Sequence, residues 1–187
     1  MRPETLEDLT RIIADAVATG GKLELRGGGS KLDVGAPRQA QAVDMRGFAG
    51  IIDYDHAELV LTVGAGTPLA EIQAAVAERG QMLAFEPFDH GPVFGQPEGA
   101  ATIGGVVAAG VSGSRRLSRG GARDHLLGFK AVSGRGEVFV GGGKVVKNVT
   151  GYDLPKVIAS SWGRLAALTE VTLKVLPRPD TALKPSR

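Results

Sequence analysis

The sequence predicts an α+β fold of short helices and strands that are joined by glycine-rich loops. Helical and strand-like apolar patterns follow one another without the regular strand–helix alternation of a parallel α/β fold. Glycine accounts for 28 of the 187 residues, about twice its usual share. These glycines follow no period of three, and long apolar stretches separate them. Collagen-like and disordered low-complexity chains are therefore excluded.

The first elements are a helix, a strand and a glycine loop. Apolar residues recur at spacings of three and four over residues 5–19, with acidic residues in the first turn and Gly20-Gly21 after the end. A short strand is expected at 22–25, and it leads into the loop 26–31, which reads Arg-Gly-Gly-Gly-Ser-Lys. Three further short strands are expected at 42–45, 50–54 and 58–63.

A second helix begins where Thr67 offers an N-cap and Pro68 a first helical residue, and Gly80 closes it. A strand at 81–85 leads into the loop 86–99, which is rich in proline and glycine and long enough to suggest a binding role. The remaining expected elements are a helix at 103–109, a hairpin of strands 126–132 and 137–140, a short helix at 153–159 and a strand at 165–176.

Charge and composition exclude several classes of function. There are 22 Lys and Arg residues against 20 Asp and Glu, a net charge of +2, so no global field is available to hold nucleic acid. The absence of cysteine removes disulfides, thiolate metal sites and iron–sulfur ligation by this chain. No apolar run approaches the length of a membrane span. We expect a soluble, cytoplasmic protein.

Three glycine-rich segments are candidate phosphate sites, at 26–31, 99–113 and 141–144. Successive backbone N–H groups in such loops form a concave anion site, and the missing side chains let a ligand approach closely. None is a P-loop, because Val145 follows Gly143-Lys144 where a serine or threonine is needed. Gly64-Ala65-Gly66 lacks the third glycine of a dinucleotide fingerprint and is interpreted as a plain strand-to-helix connection.

Conventional catalytic patterns are weak. The histidines at 56, 90 and 125 show no metal-ligand spacing, so no metal is predicted. Ser112 is one residue short of a nucleophile elbow and is more suited to offer a hydroxyl to a ligand. The arginine-rich run 114–123 is either a solvated surface loop or an anion site, in which Arg115 and Arg116 would bind a carboxylate or a diphosphate.

Taken in order, four segments carry a family resemblance. They are 25–30 (Leu-Arg-Gly-Gly-Gly-Ser), 99–105 (Gly-Ala-Ala-Thr-Ile-Gly-Gly), 147–154 (Lys-Asn-Val-Thr-Gly-Tyr-Asp-Leu) and 168–175 (Leu-Thr-Glu-Val-Thr-Leu-Lys-Val). Together they resemble the FAD-binding domain of the vanillyl-alcohol oxidase, or PCMH-type, flavoprotein family. With the stretch 112–128, the chain is similar to the FAD-binding E subunits of bacterial glycolate oxidases within that family.

The resemblance implies a fold and a cofactor. The fold would be two small α/β subdomains with FAD between them, at about 1–85 and 86–176, followed by a linker or truncated junction at 177–187. A histidine often occupies the first loop in members with covalent flavin, and Gly29 stands there, so FAD is expected to be non-covalent. The implied cofactor-binding residues are Arg26, Gly27, Gly28, Gly29, Ser30, Lys31, Thr102, Ile103, Gly104, Gly105, Gly110, Ser112, Gly113 and Leu168.

The resemblance also implies a reaction and partners. The substrate would be a small 2-hydroxy acid such as glycolate or D-lactate, with Arg115 and Arg116 as candidates for its carboxylate and His90 or His125 as weak candidates for the base. A second flavoprotein subunit and an iron–sulfur subunit would take the electrons, and they could also hold the chain at the inner membrane.

Members of this family normally continue into a cap domain that is not found in these residues. We therefore expect either a fragment of a longer subunit or a short version that relies on a partner. Two other interpretations also stay open: a non-catalytic FAD-binding module for electron transfer or assembly, and a flavin reductase that resembles those of peptidoglycan precursors.

Overall fold

The structure is a computed structural model that describes residues 1–32, 34–36, 39–143 and 151–179. Its helices are α1 (Leu6–Thr19), α2 (Leu69–Glu78), α3 (Ile103–Ala109), α4 (Arg116–Arg119), α5 (Ala122–His125) and α6 (Leu154–Ile158). Its strands are β1 (Leu23–Arg26), β2 (Gln41–Asp44), β3 (Ile51–Asp55), β4 (Val60–Gly64), β5 (Gln81–Met82), β6 (Leu126–Ser133), β7 (Val138–Gly142), β8 (Ala166–Lys174) and β9 (Leu176–Pro177). The predicted α+β class is confirmed.

The main sheet has five antiparallel strands in the order β3-β4-β8-β6-β7. β8 lies at its centre, and seven of its nine residues are buried. Val171 of β8 lies between Val63 on one neighbouring strand and Phe129 on the other. The predicted hairpin of β6 and β7 is present, with Val132 paired with Val138 beside the turn.

Two hydrophobic clusters hold the elements together. The larger one packs α2 and α3 against the main sheet, and its fully buried members include Leu61, Ile72, Phe85 and Ile103. The smaller one joins α1 to the parallel pair β1–β2, and it also takes in Val132 and Ala167 from the main sheet.

The start and end of α1 follow the sequence prediction. Thr5 caps the helix, since its hydroxyl oxygen accepts a hydrogen bond from the backbone N–H of Asp8 at 3.1 Å. Gly20 ends it in the left-handed region at φ 66°.

The start of α2 differs from the prediction. Pro68, and not Thr67, is the N-cap residue, and it makes no side-chain capping bond. The Thr67 hydroxyl instead donates to the carbonyl oxygen of Gly64 at 2.6 Å and accepts from the N–H of Gly50 at 2.9 Å. Thr67 therefore fastens the turn between β4 and α2 to the loop before β3.

The predicted strand at 81–85 is reduced to the two residues of β5. Leu83 to Phe85 are buried but unpaired in any sheet. β5 pairs with β9, and the N–H of Arg178 donates to the carbonyl oxygen of Gly80 at 2.8 Å. Residues 177–178 of the predicted linker therefore pack onto the fold, and residues 180–187 lie outside the described residues.

The main sheet combines strands from both sides of the predicted division between residues 85 and 86, and β5 with β9 forms a third sheet of two strands. β3 and β4 belong to the same sheet as β6, β7 and β8, while β1 and β2 form the separate small sheet. The change of sheet therefore falls between β2 and β3.

Candidate cofactor site

A cavity of about 380 Å³ lies between the small sheet and the main sheet. β1 and the loop 27–32 form one wall, and α3 and β8 form the other. The turn 161–164 closes one side. Ten of the predicted cofactor residues line it: Arg26, Gly27, Gly28, Gly29, Ser30, Lys31, Thr102, Gly104, Gly105 and Leu168.

Two of the predicted glycine segments meet at this cavity. A Cβ atom on Gly28 would overlap the carbonyl oxygen of Ala100, and one on Gly27 would overlap the hydroxyl of Thr102. Gly29 has φ +82°, which side chains rarely adopt. The first two glycines therefore permit close packing of the loops, and the third permits the turn.

On the α3 side of the cavity, Gly104 is closely packed against its neighbours, whereas Gly105 has free space beside it. A Cβ on Gly104 would lie 2.7 Å from the carbonyl oxygen of Ala65. A Cβ on Gly105 would meet only the Thr102 hydroxyl, at an ordinary 3.4 Å. Ile103 is fully buried in the larger cluster and is outside the cavity lining.

Lys31 is the cation that this wall offers to an anion. Its ammonium group donates to the Ser30 hydroxyl at 3.1 Å, and no carboxylate of the described residues pairs with it. Burial lowers the pKa of Lys31, and the nearby charge of Asp89 partly opposes this shift. The Arg26 guanidinium, by contrast, is paired with Glu24 through bonds of 2.8 and 2.5 Å to one carboxylate oxygen.

The loop 86–99 lies beside Lys31. The Asp89 carboxylate accepts the N–H groups of Gly91 and Gly99, each at 2.8 Å. The His90 ring stacks against Phe88 with ring centroids 4.2 Å apart. Its Nδ1 atom is buried and has no hydrogen-bond partner among the described residues, and burial together with the Lys31 charge lowers the pKa of His90.

The predicted residues Gly110, Ser112 and Gly113 lie outside the lining of this cavity. Gly110 ends α3 at φ +68° and packs against Ser160. The Ser112 hydroxyl accepts from the N–H of Ala122 at 2.9 Å, at the start of α5. Gly113 lies close to Glu86, where a Cβ would come within 2.7 Å of the Glu86 carbonyl oxygen. The structure thus gives each of them a packing role, and their contact with cofactor stays a prediction.

The two substrate candidates also lie outside this lining. The Arg115 side chain pairs with Glu86 at 3.4 Å, and the same carboxylate accepts the Arg115 N–H at 2.9 Å. Arg116 begins α4 and pairs with no carboxylate of the described residues. Within the run 114–123, residues 116–119 form α4 and residues 122 and 123 begin α5, and the side chains of Arg116, Arg119 and Arg123 are exposed.

The remaining candidates from the sequence are His125 and the third glycine segment, and their described residues pack within the fold. His125 is buried, with Nε2 2.9 Å from the carbonyl oxygen of Arg119 and its ring against Phe85. Gly141 and Gly142 of the third segment pack closely on β6, whereas Lys144 and residues 147–150 lie outside the described residues. Within the described ranges, no cluster of His, Asp and Glu could hold a metal ion, and no helix is long and apolar enough to cross a membrane.

Sequence reasoning missed several residues of the lining. Glu24 belongs to a predicted strand and Ala65 to a predicted connection between elements, and neither pattern indicates a binding residue. The turn that carries Ser161, Trp162 and Arg164 has a signal in retrospect, since it holds the only tryptophan of the sequence next to a glycine.

Comparisons with known proteins identify the family of the chain. Residues 1–142 match the family described as FAD binding domain. The chain is 43% identical over 178 residues to the glycolate oxidase subunit GlcE of Escherichia coli, covering 95% of this chain and 48% of that protein. It is 30% identical over 181 residues to a D-lactate dehydrogenase of Archaeoglobus fulgidus, covering 95% of this chain and 38% of that protein.

A solved structure shows the same fold. An alkyldihydroxyacetonephosphate synthase superposes with a TM-score of 0.73 at 22% identity, covering 97% of this chain and 32% of that one. The family match and the curated relatives define an FAD-binding module of the class found in FAD-linked oxidoreductases. The chain belongs to the FAD-binding domain family, and FAD is its cofactor. It spans about half the length, or less, of the curated relatives it matches.

Proposed function

We propose that this chain is the FAD-binding subunit or domain of a glycolate oxidase-type complex, which oxidises a small 2-hydroxy acid, glycolate or D-lactate, to the 2-oxo acid. The proposal rests on the cavity, where the loop 26–31, the start of α3 and Leu168 meet, and where Lys31 has no carboxylate partner among the described residues. The likeness to a glycolate oxidase subunit and to a D-lactate dehydrogenase supports this substrate class.

In this proposal the loop 26–31 binds the pyrophosphate. Gly27 to Ser30 line the cavity, so their backbone N–H groups would donate to the anion, and Lys31 would supply the compensating charge. Thr102, Gly104 and Gly105 border the same space, and Gly110, Ser112 and Gly113 continue toward the flavin end. Because Gly29 stands where a linking side chain would be needed, the cofactor is held without a covalent bond.

The oxidation removes two electrons and two protons from the substrate, and bound FAD supplies the electron acceptor. The carboxylate of the substrate needs a cation. Arg116 is free to bind it, whereas Arg115 would do so only by sharing or leaving its pair with Glu86. A second flavoprotein subunit and an iron–sulfur subunit are the proposed electron acceptors, since the chain has no cysteine for a cluster of its own.

The experiment is an anaerobic spectrum of the purified chain. We expect a yellow protein whose flavin is released by acid precipitation, and whose absorption is bleached by glycolate or D-lactate. Arg116→Ala should retain the flavin and require more substrate for the same bleaching. A colourless protein that takes up no FAD on titration would refute the proposal.

The alternative is a non-catalytic FAD-binding module for electron transfer or assembly. One observation favours it: His125, a candidate for the base, is buried, with Nε2 2.9 Å from the carbonyl oxygen of Arg119 and its ring against Phe85. Flavin that is bound but remains oxidised with both 2-hydroxy acids would support this alternative.

A further inference from the structure

Trp162 is a conspicuous residue of the cavity rim that the proposed function leaves unused. It is the only tryptophan in the sequence, it lines the cavity, and its exposed fraction is 47%. Its ring stacks on no other aromatic ring of the described residues. A large aromatic surface is therefore left open beside the proposed pyrophosphate loop.

The backbone holds this ring in an uncommon conformation. Trp162 has φ 56°, a left-handed value that is unfavourable for a bulky side chain. The turn is fastened to α3, because the N–H of Trp162 donates to Ala108 at 2.8 Å and that of Ser160 donates to Val107 at 3.1 Å. On its other side Gly163 approaches Leu25 of β1. Such strain persists only where the surroundings fix it, and it is concentrated at ligand-binding sites.

We propose that the indole of Trp162 is the stacking platform for the adenine ring of FAD. This inference rests on the proposed cofactor site and names which end of the cofactor the cavity receives. Stacking on a flat aromatic side chain is a general way to hold a base, because every base has a π-face.

The size and the chemistry of the cavity favour the adenine end over the flavin end. About 380 Å³ is near the lower limit for small-molecule pockets, about 300–1,000 Å³, so the cavity takes only part of a dinucleotide. Its wall beyond the loop 26–31 is made largely of apolar and small residues such as Leu23, Met45 and Ala109. The arginines proposed for substrate lie outside it, so the reacting ring is expected elsewhere.

The test measures dissociation constants of FAD, ADP and FMN for the full chain and for three variants. Trp162→Ala removes the platform, Trp162→Phe keeps an aromatic face, and Leu165→Ala is a matched control that is 53% exposed but outside the lining. We expect Trp162→Ala to weaken FAD and ADP alike by about five- to a hundred-fold. Trp162→Phe should restore most of the affinity, and Leu165→Ala should bind as the parent chain does.

FMN decides which ring is stacked, because it carries the flavin without adenine. Unchanged FMN affinity in Trp162→Ala is the expected result. Weaker FMN with unchanged ADP would place the flavin on Trp162 and overturn the proposal, as would unchanged affinity for all three ligands. A parent chain that binds none of them would instead refute the proposed cofactor site itself.

Tryptophan fluorescence gives an independent readout that needs no variant. Because Trp162 is the only tryptophan, its emission reports this position alone. ADP is the proper probe, since adenine affects the emission only by contact, whereas flavin absorbs in the range where tryptophan emits and quenches at a distance. Saturating ADP that leaves the emission unchanged would contradict the stacking.

Discussion

At the scale of single residues, charge pairing separates groups that look equivalent in the sequence. The loop 26–31 begins with arginine and ends with lysine, and both were predicted to bind cofactor. In the structure Glu24 neutralises Arg26, whereas Lys31 has no carboxylate partner among the described residues. We therefore propose that Lys31 of this loop, which is half-buried and has a pKa lowered by burial, meets the pyrophosphate.

We therefore predict that Lys31→Met weakens FAD binding by about ten- to a hundred-fold, the size of one charge-assisted hydrogen bond. The matched control is Lys22→Met, since Lys22 is exposed and outside this cavity. Equilibrium dialysis followed by flavin fluorescence measures both variants. Equal retention of FAD in the two variants would show that Lys31 does not contact the anion.

At the scale of elements, some glycines allow two segments to pack closely, whereas others have free space beside them. The first loop packs directly on residues 100–102, because Gly27 and Gly28 carry no side chains. On α3, Gly104 is in contact with Ala65, whereas Gly105 faces room for a methyl group. Gly28 and Gly105, which lie on opposite walls of the cavity, are thus expected to respond differently to the same change.

We predict that Gly28→Ala destabilises the protein by about 1–3 kcal/mol or more, because the methyl group overlaps backbone that cannot move freely. Gly105→Ala should leave the stability unchanged or raise it by about 0.5–1 kcal/mol, because alanine favours the helix. Thermal unfolding by circular dichroism compares them. Similar melting temperatures for both variants would contradict the packing of the first loop on Ala100.

At the scale of the whole molecule, the cavity depends on how the small sheet is held to the main sheet. The smaller cluster makes this connection through Leu9 and Val43 on one side and Val132 and Ala167 on the other. Met45 belongs to the same cluster and also lines the cavity. Loss of packing in the smaller cluster should therefore change the shape of the cavity and weaken FAD binding.

We predict that Leu9→Ala lowers the stability by about 2–5 kcal/mol, because Leu9 is fully buried, and that it also weakens FAD binding. Added FAD should raise its melting temperature, because a ligand of the native state stabilises that state. Val17→Ala, on the same helix but 62% exposed, is the control and should change neither property. Unaltered FAD affinity in a destabilised Leu9→Ala protein would show that the packing of the smaller cluster does not influence FAD binding.

The sequence by itself determined the α+β class, the order of most elements and the glycine segments that match an FAD-binding family. These features are local, since the apolar spacing of α1, its Thr5 cap and the loop 26–31 depend on neighbours along the chain. Only the tertiary structure decided which segments meet. Contacts such as Gly28 with Ala100, or Trp162 with α3, join residues that are distant in sequence or lie in separate elements.

The same reason explains where the site prediction was incomplete. Ile103 fits the motif but is directed into the core, while Glu24, Ala65 and Trp162 border the cavity without any motif of their own. Side-chain direction and charge pairing follow from packing among strands, helices and turns, and no single segment contains that information. The sequence therefore predicted the loop 26–31 as a cofactor segment, and the packing of β1, α3, β8 and the turn 161–164 around it forms the cavity.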